Sequence, residues 1–110
     1  MIKINKDNSY PVTLTKNASA QLRKALIRER APESGVRILL TNAGNGYRYD
    51  LQIETKEKEE DHVSEQGGIM IYVDKFVAQY LKGTVLDWRE LPRGAGFLFE
   101  RPKQSDKSQK

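Results

Sequence analysis

Three features of this sequence predict a mainly β protein of the α+β class with two helices. Apolar and polar residues alternate over several runs of strand length. Apolar residues recur at helical spacing in only two segments. The connections between runs are short and carry Gly, Asn and Asp. Alternation joined by short connections predicts a curled, largely antiparallel sheet, forming a sandwich or a partial barrel.

Each element has its own justification. Pro11 before the alternating Val12, Thr13 and Leu14 predicts a short edge strand, since proline cannot donate to a sheet interior. Thr15 is an N-cap residue, and Ala18, Leu22, Ala25 and Leu26 then recur as one helical stripe. Arg23, Lys24, Arg28 and Arg30 fall on the outer face, and Pro32 and Gly35 are expected to close the helix. Val36, Ile38 and Leu40 alternate, as do Tyr47, Tyr49, Leu51 and Ile53 against Arg48, Asp50 and Gln52. Asn45-Gly46 between these runs is a hairpin signal, because both residues tolerate positive φ. Thr55 to Asp61 reads as a charged loop, and Ile69 to Val73 as a strand buried on both faces. Asp74 caps a short helix with Phe76, Val77, Tyr80 and Leu81 as its stripe, closed by Gly83. Thr84 to Trp88 and Phe97 to Phe99 read as two further strands. The expected core is Leu22, Leu26, Ile38, Leu40, Tyr49, Leu51, Ile71, Val73, Phe76, Leu81, Leu86, Phe97 and Phe99. Residues 1–102 are expected to form one domain and residues 103–110, which lack any apolar side chain, a disordered polar tail.

Composition narrows the function. With no cysteine, these 110 residues form no disulfide, no thiolate metal site and no cysteine nucleophile. A single histidine, His62, excludes a multi-histidine metal site within one chain. No apolar run reaches the roughly 18 residues of a membrane span, and Met1 to Ser9 lacks a signal-peptide core, so a soluble, cytoplasmic protein is expected. Residues 1–50 hold nine Lys/Arg against four Asp/Glu, a basic excess that suits a solvated face or a surface for nucleic acid or an acidic protein. Glu57, Glu59, Glu60, Asp61 and His62 offer oxygen donors and one imidazole, but their spacing matches no calcium loop, and a solvated loop is expected. Trp88, Phe97 and Phe99 are expected in the core rather than stacked on bases. No nucleophile–base pair is evident beyond Ser64 near His62, so the chain is not expected to be an enzyme.

Several stretches together resemble one family. They are Val12-Thr13-Leu14-Thr15, Gly46-Tyr47-x-Tyr49-x-Leu51, Tyr72-Val73-Asp74, Tyr80-Leu81-x-Gly83, Asp87-Trp88, and Gly94-x-Gly96-Phe97-x-Phe99-Glu100-x-Pro102. Their order and spacing resemble the A-type iron–sulfur carriers, the HesB/IscA-like family. The resemblance implies a small β-rich protein that pairs with other chains. It also implies three thiolates that hold iron or a [2Fe–2S] cluster for transfer to apoproteins. Carried over by position, those thiolates fall on Gly44, Ser108 and Lys110, none of which is a soft anionic ligand. The resemblance therefore implies a HesB-like scaffold with no cofactor or metal of its own. It would be a partner-binding or regulatory member of iron–sulfur biogenesis, with Asn45, Tyr47 and Arg48 beside the altered turn. The same residues read alone leave Tyr47 packed and Arg48 solvated. The implied partners are a cysteine-bearing relative, another assembly component, or a second copy in a homodimer. The alternative is an unrelated binding module for nucleic acid or an acidic protein on the same fold.

Overall fold

Seven strands and two helices form within residues 11–101, the part of the protein that the computed structural model describes. In sequence order they are β1 (Val12–Leu14), α1 (Lys16–Arg28), β2 (Gly35–Asn42), β3 (Tyr47–Glu54), β4 (Asp61–Gln66), β5 (Ile69–Asp74), α2 (Lys75–Leu81), β6 (Thr84–Leu91) and β7 (Gly94–Glu100). The strands make two sheets, ordered β1-β6-β7 and β3-β2-β5-β4. Three pairings are antiparallel (β2 with β3, β4 with β5, β6 with β7) and two are parallel (β1 with β6, β2 with β5). The fold is thus α+β with two mixed sheets and no closed barrel. The expected tail, residues 103–110, lies outside the described residues.

The core forms where the inner faces of both sheets meet the apolar stripes of the helices. On α1, Ala18, Leu22 and Leu26 stand four residues apart and are buried, while Arg23, Lys24 and Arg28 are exposed. The Thr15 hydroxyl accepts from the Ala18 N–H at 3.0 Å, as an N-cap should. The same hydroxyl donates to Asp87 at 2.7 Å, and the Thr15 N–H donates to the Leu86 carbonyl at 3.0 Å. The start of α1 is therefore pinned to β6. The Thr15 hydrogen bond, helped by that of Arg89, holds the Asp87 carboxyl below the usual carboxylate range. Ile38, Ile71, Val73, Leu81 and Leu86 complete the interior.

Gln66 joins the two sheets along one seam. Its side-chain amide accepts from the Leu14 N–H at 2.8 Å and donates to the Val12 carbonyl at 2.9 Å. A side chain of β4 thus pairs with the free edge of β1 as a neighbouring strand would, satisfying backbone groups that are costly to leave open.

The structure corrects several expectations. The helix does not run to Pro32. It ends at Arg28, and Arg30 takes φ 60°, which reverses the chain. Gly35 instead opens β2, where a Cβ would lie 2.6 Å from the Met70 carbonyl oxygen and 2.7 Å from the Tyr72 ring. Residues 61–66 form a strand although the charged run hid its pattern. Asp61 begins that strand rather than closing a loop. Phe76 is exposed rather than in the core. With only seven residues, α2 turns Val77 and Leu81 inward, and the next (i, i+4) pair, Phe76 and Tyr80, packs ring edge to face on the outside at 5.4 Å. Leu40, Tyr49, Leu51, Phe97 and Phe99 pack against the core but remain half-buried at its margin. Trp88 is likewise half-buried, edge-to-face on Phe97 at 4.8 Å.

These burials predict separable stabilities. Leu86→Ala and Ile71→Ala should each cost about 2–5 kcal/mol in denaturant unfolding, since both side chains are fully enclosed. Phe76→Ala should stay within about 0.5 kcal/mol of the parent, as an exposed surface change does. A Phe76→Ala loss as large as that of Leu86→Ala would refute the inward assignment of Val77 and Leu81.

Candidate functional site

The β2–β3 hairpin carries the residues that the sequence singled out. Its strands pair over their whole length, from Gly35 opposite Glu54 to Asn42 opposite Tyr47, and fix the turn at one end of the four-stranded sheet. The turn closes through the Ala43 N–H, which donates to the Gly46 carbonyl at 2.7 Å. The Asn42 side chain accepts from the Gly44 N–H at 2.9 Å. Gly44 takes φ 91°, a conformation that side-chain-bearing residues rarely adopt, and nothing lies within 4 Å of where its Cβ would be. The turn is held by backbone and amide hydrogen bonds, and its outer side is open.

Gly44, Asn45, Tyr47 and Arg48 sit together at this end and are exposed. Tyr47 does not pack as its alternation suggested, and is 69% exposed. It lies on the last rung of the hairpin, opposite the exposed Asn42, beyond the apolar cover that reaches Tyr49. Arg48 is solvated, with the Asp50 carboxylate 3.6 Å away. The Tyr49 hydroxyl donates to the Tyr80 carbonyl at 3.2 Å, and Arg101 donates to the same oxygen. Those bonds bring the exposed aromatic pair of α2 to the side of β3 that carries Tyr47. Ser108 and Lys110 lie outside the described residues.

The opposite face of this sheet holds a feature that sequence reasoning missed. Arg37 on β2 is buried and forms a two-pronged pair with Asp61 on β4, at 2.9 and 2.7 Å. Glu54 on β3 stands 3.6 Å from its Nε, and the guanidinium lies 5.7 Å from the centre of the Tyr72 ring. The Lys58 N–H also donates to Asp61, drawing in the loop before β4. Burial pushes the Asp61 carboxyl up. The Arg37 hydrogen bond, the Lys58 amide and the nearby positive charge outweigh it and hold the group below its ordinary value. Asp61 is therefore not part of a solvated loop. The signal was present in the sequence: Arg37 is the one charge inside the apolar run Val36–Leu40.

Among the described residues, no three His, Asp or Glu side chains converge as metal ligands. Ser64 is buried and accepts from the Gln66 amide, while His62 is exposed. No helix among the described residues is long and apolar enough to cross a membrane.

A two-sheet α+β scaffold with an open glycine turn on its longest hairpin is the class of protein that this geometry defines. The chain belongs to the iron–sulphur cluster biosynthesis family, whose model matches residues 10–107. It is 31% identical over 96 residues to the iron–sulfur cluster insertion protein ErpA of Marinobacter nauticus, covering 86% of this chain and 87% of the relative. It is 35% identical over 98 residues to the protein HesB of Leptolyngbya boryana, covering 86% and 81%. Among solved structures it is similar to IscA with a [2Fe–2S] cluster, at a TM-score of 0.73 and 26% identity over 83% of this chain and 85% of that one. It is also similar to Escherichia coli SufA, at 0.71 and 25% over 91% and 90%. The donors at this protein's turn are amides, a phenol and a guanidinium, which do not fit an iron–sulfur cluster, whose usual ligands are soft thiolates.

The buried pair predicts a pH dependence. A carboxyl whose folded value is depressed adds stability that is complete above its unfolded value of about 3.9. That stability is lost as pH falls through this value toward the lower folded one. Asp61→Asn should therefore flatten the acid limb of the stability–pH curve, and Arg37→Ala should cost about 3–5 kcal/mol near neutrality by stranding a buried charge. Parallel acid limbs for the parent and Asp61→Asn, measured by unfolding across acid pH, would contradict the pairing.

Proposed function

We propose that this protein is a cysteine-free member of the iron–sulphur biosynthesis family that binds protein partners of cluster assembly without ligating a cluster itself. One observation carries the reading. The turn that resembles the family's first ligand loop bears Gly44 and Asn45, and none of the 110 residues is a cysteine. Carried over by the resemblance, the other two thiolate positions fall on Ser108 and Lys110. On this reading the protein is a cytoplasmic, non-enzymatic scaffold, and Asn45, Tyr47 and Arg48 meet the partner. That partner is a cysteine-bearing relative, another assembly component or a second copy. Support comes from the exposed Tyr47 and from Phe76 and Tyr80 on the neighbouring helix, since aromatic residues and arginine are enriched at interfaces.

Anaerobic treatment with iron and sulfide tests the first half: the homogeneous protein should gain no cluster absorbance, and stoichiometric absorbance would sink the proposal. The triple variant Gly44→Cys, Ser108→Cys, Lys110→Cys should gain some iron or cluster under the same treatment, with Gly44→Cys itself costing about 1 kcal/mol or more of backbone strain. Equilibrium binding to a cysteine-bearing family member tests the second half. Tyr47→Ala and Arg48→Ala should each weaken it by about 1 kcal/mol or more, with folding unchanged. Undiminished binding by both would move the contact elsewhere.

A further inference from the structure

We propose that Asn45 is a site of spontaneous covalent modification, in which the folded turn converts its amide to a carboxylate through a cyclic imide. Asn45 is followed by Gly46, and no other asparagine in the sequence precedes a glycine. The backbone nitrogen of Gly46 attacks the side-chain carbonyl carbon (Cγ) of Asn45. A new bond from that nitrogen to Cγ closes the five-membered ring, the bond from Cγ to Nδ2 breaks, and ammonia leaves. Water then opens the ring at either carbonyl, giving aspartate or the β-linked isoaspartate. The net change is one water consumed and one ammonia released, with no oxidant, metal or enzyme.

The structure sets this asparagine apart from its neighbours. Asn45 is exposed, and among the described residues neither its side chain nor the Gly46 N–H makes a hydrogen bond. Apart from its chain neighbours, nothing lies within 4 Å of a Cβ position at Gly46, so no other segment crowds the turn there. Asn42, three residues earlier, is held on both counts. Its side-chain oxygen accepts from the Gly44 N–H, and the Ala43 nitrogen donates to the Gly46 carbonyl at 2.7 Å. At Asn17, in the first turn of α1, the following nitrogen donates to the Thr15 hydroxyl at 3.0 Å. In both cases the nitrogen that would attack is engaged and its backbone fixed.

The product alters the most exposed part of the hairpin. It places a carboxylate two residues from Tyr47 and three from Arg48, and it removes one unit from the net charge of +4. In the isoaspartyl form it also adds a methylene to the backbone between β2 and β3. The reaction needs neither partner nor cluster, so it stands apart from the scaffold role.

The test is to age the purified full-length protein in mildly alkaline buffer and map it by tandem mass spectrometry, with isoaspartyl methyltransferase labelling. Asn45 should convert first, isoaspartate should exceed aspartate, and Asn42 and Asn17 should stay intact. Gly46→Ala should slow the change by about tenfold or more, since the added Cβ obstructs the close approach of roughly 3–3.5 Å that the ring closure needs. Asn45→Gln, which leaves the turn backbone untouched, should abolish it. An intact Asn45 in the folded protein, while a free peptide of residues 38–48 converts, would show that the turn shields it and overturn the proposal. Equal conversion at Asn42, or an unslowed Gly46→Ala, would overturn it too.

Discussion

The buried pair of Arg37 and Asp61 is the constraint around which the four-stranded sheet is arranged. One face of that sheet is covered by helices and the second sheet, and needs only apolar side chains. Tyr72 and Val63 on the other face are buried as well, as is Arg37 itself. Arg37 ties that face together: it reaches across β5 from β2 to β4, stacks toward Tyr72, and draws in Glu54 from β3. Asp61 in turn fastens the loop before β4 through the Lys58 amide. A buried ion pair is no guarantee of net stability, because desolvation offsets its attraction. Its force is conditional: once Arg37 is enclosed, any register that failed to place a carboxylate against it would strand a charge.

That arrangement bears on what the hairpin does. β2 is central in the sheet and pairs with β3 along its full length, so the turn at 43–46 is carried on a rigid support. The turn is closed by the Ala43–Gly46 bond and the Asn42 side chain. A scaffold of this kind and thiolate chemistry rest on different things. The first depends on packing, ladder hydrogen bonds and one ion pair. The second depends on soft ligands, and none of these 110 residues is a cysteine. On that scaffold this protein presents the end of the β2–β3 hairpin, the exposed Tyr47 and the aromatic pair of α2.

Most of the architecture was legible in the sequence, for reasons confined to short stretches of residues. Periodicity placed α1, β2, β3, β5 and β6, Thr15 and Asp74 announced their helices, and Asn-Gly announced the hairpin, because each rests on contacts within a few residues. The absence of cysteine was equally plain, and it alone removed thiolate ligation from these 110 residues. Sequence failed where burial depends on remote partners. Strand β4 reads as charged because Asp61 finds its counter-charge on β2, 24 residues away. Phe76 and Tyr80 share helical spacing with Val77 and Leu81, and periodicity cannot say which pair faces in when the helix makes only two turns. Only the packing of α2 against β5 and β2 decided that. Only the tertiary structure, likewise, showed that the β1 edge is capped by Gln66, that Tyr47 lies past the end of the core, and that among the described residues the nitrogen after Asn45 makes no hydrogen bond while the one after Asn42 does. Each is a relation between segments that adjacency in sequence does not encode.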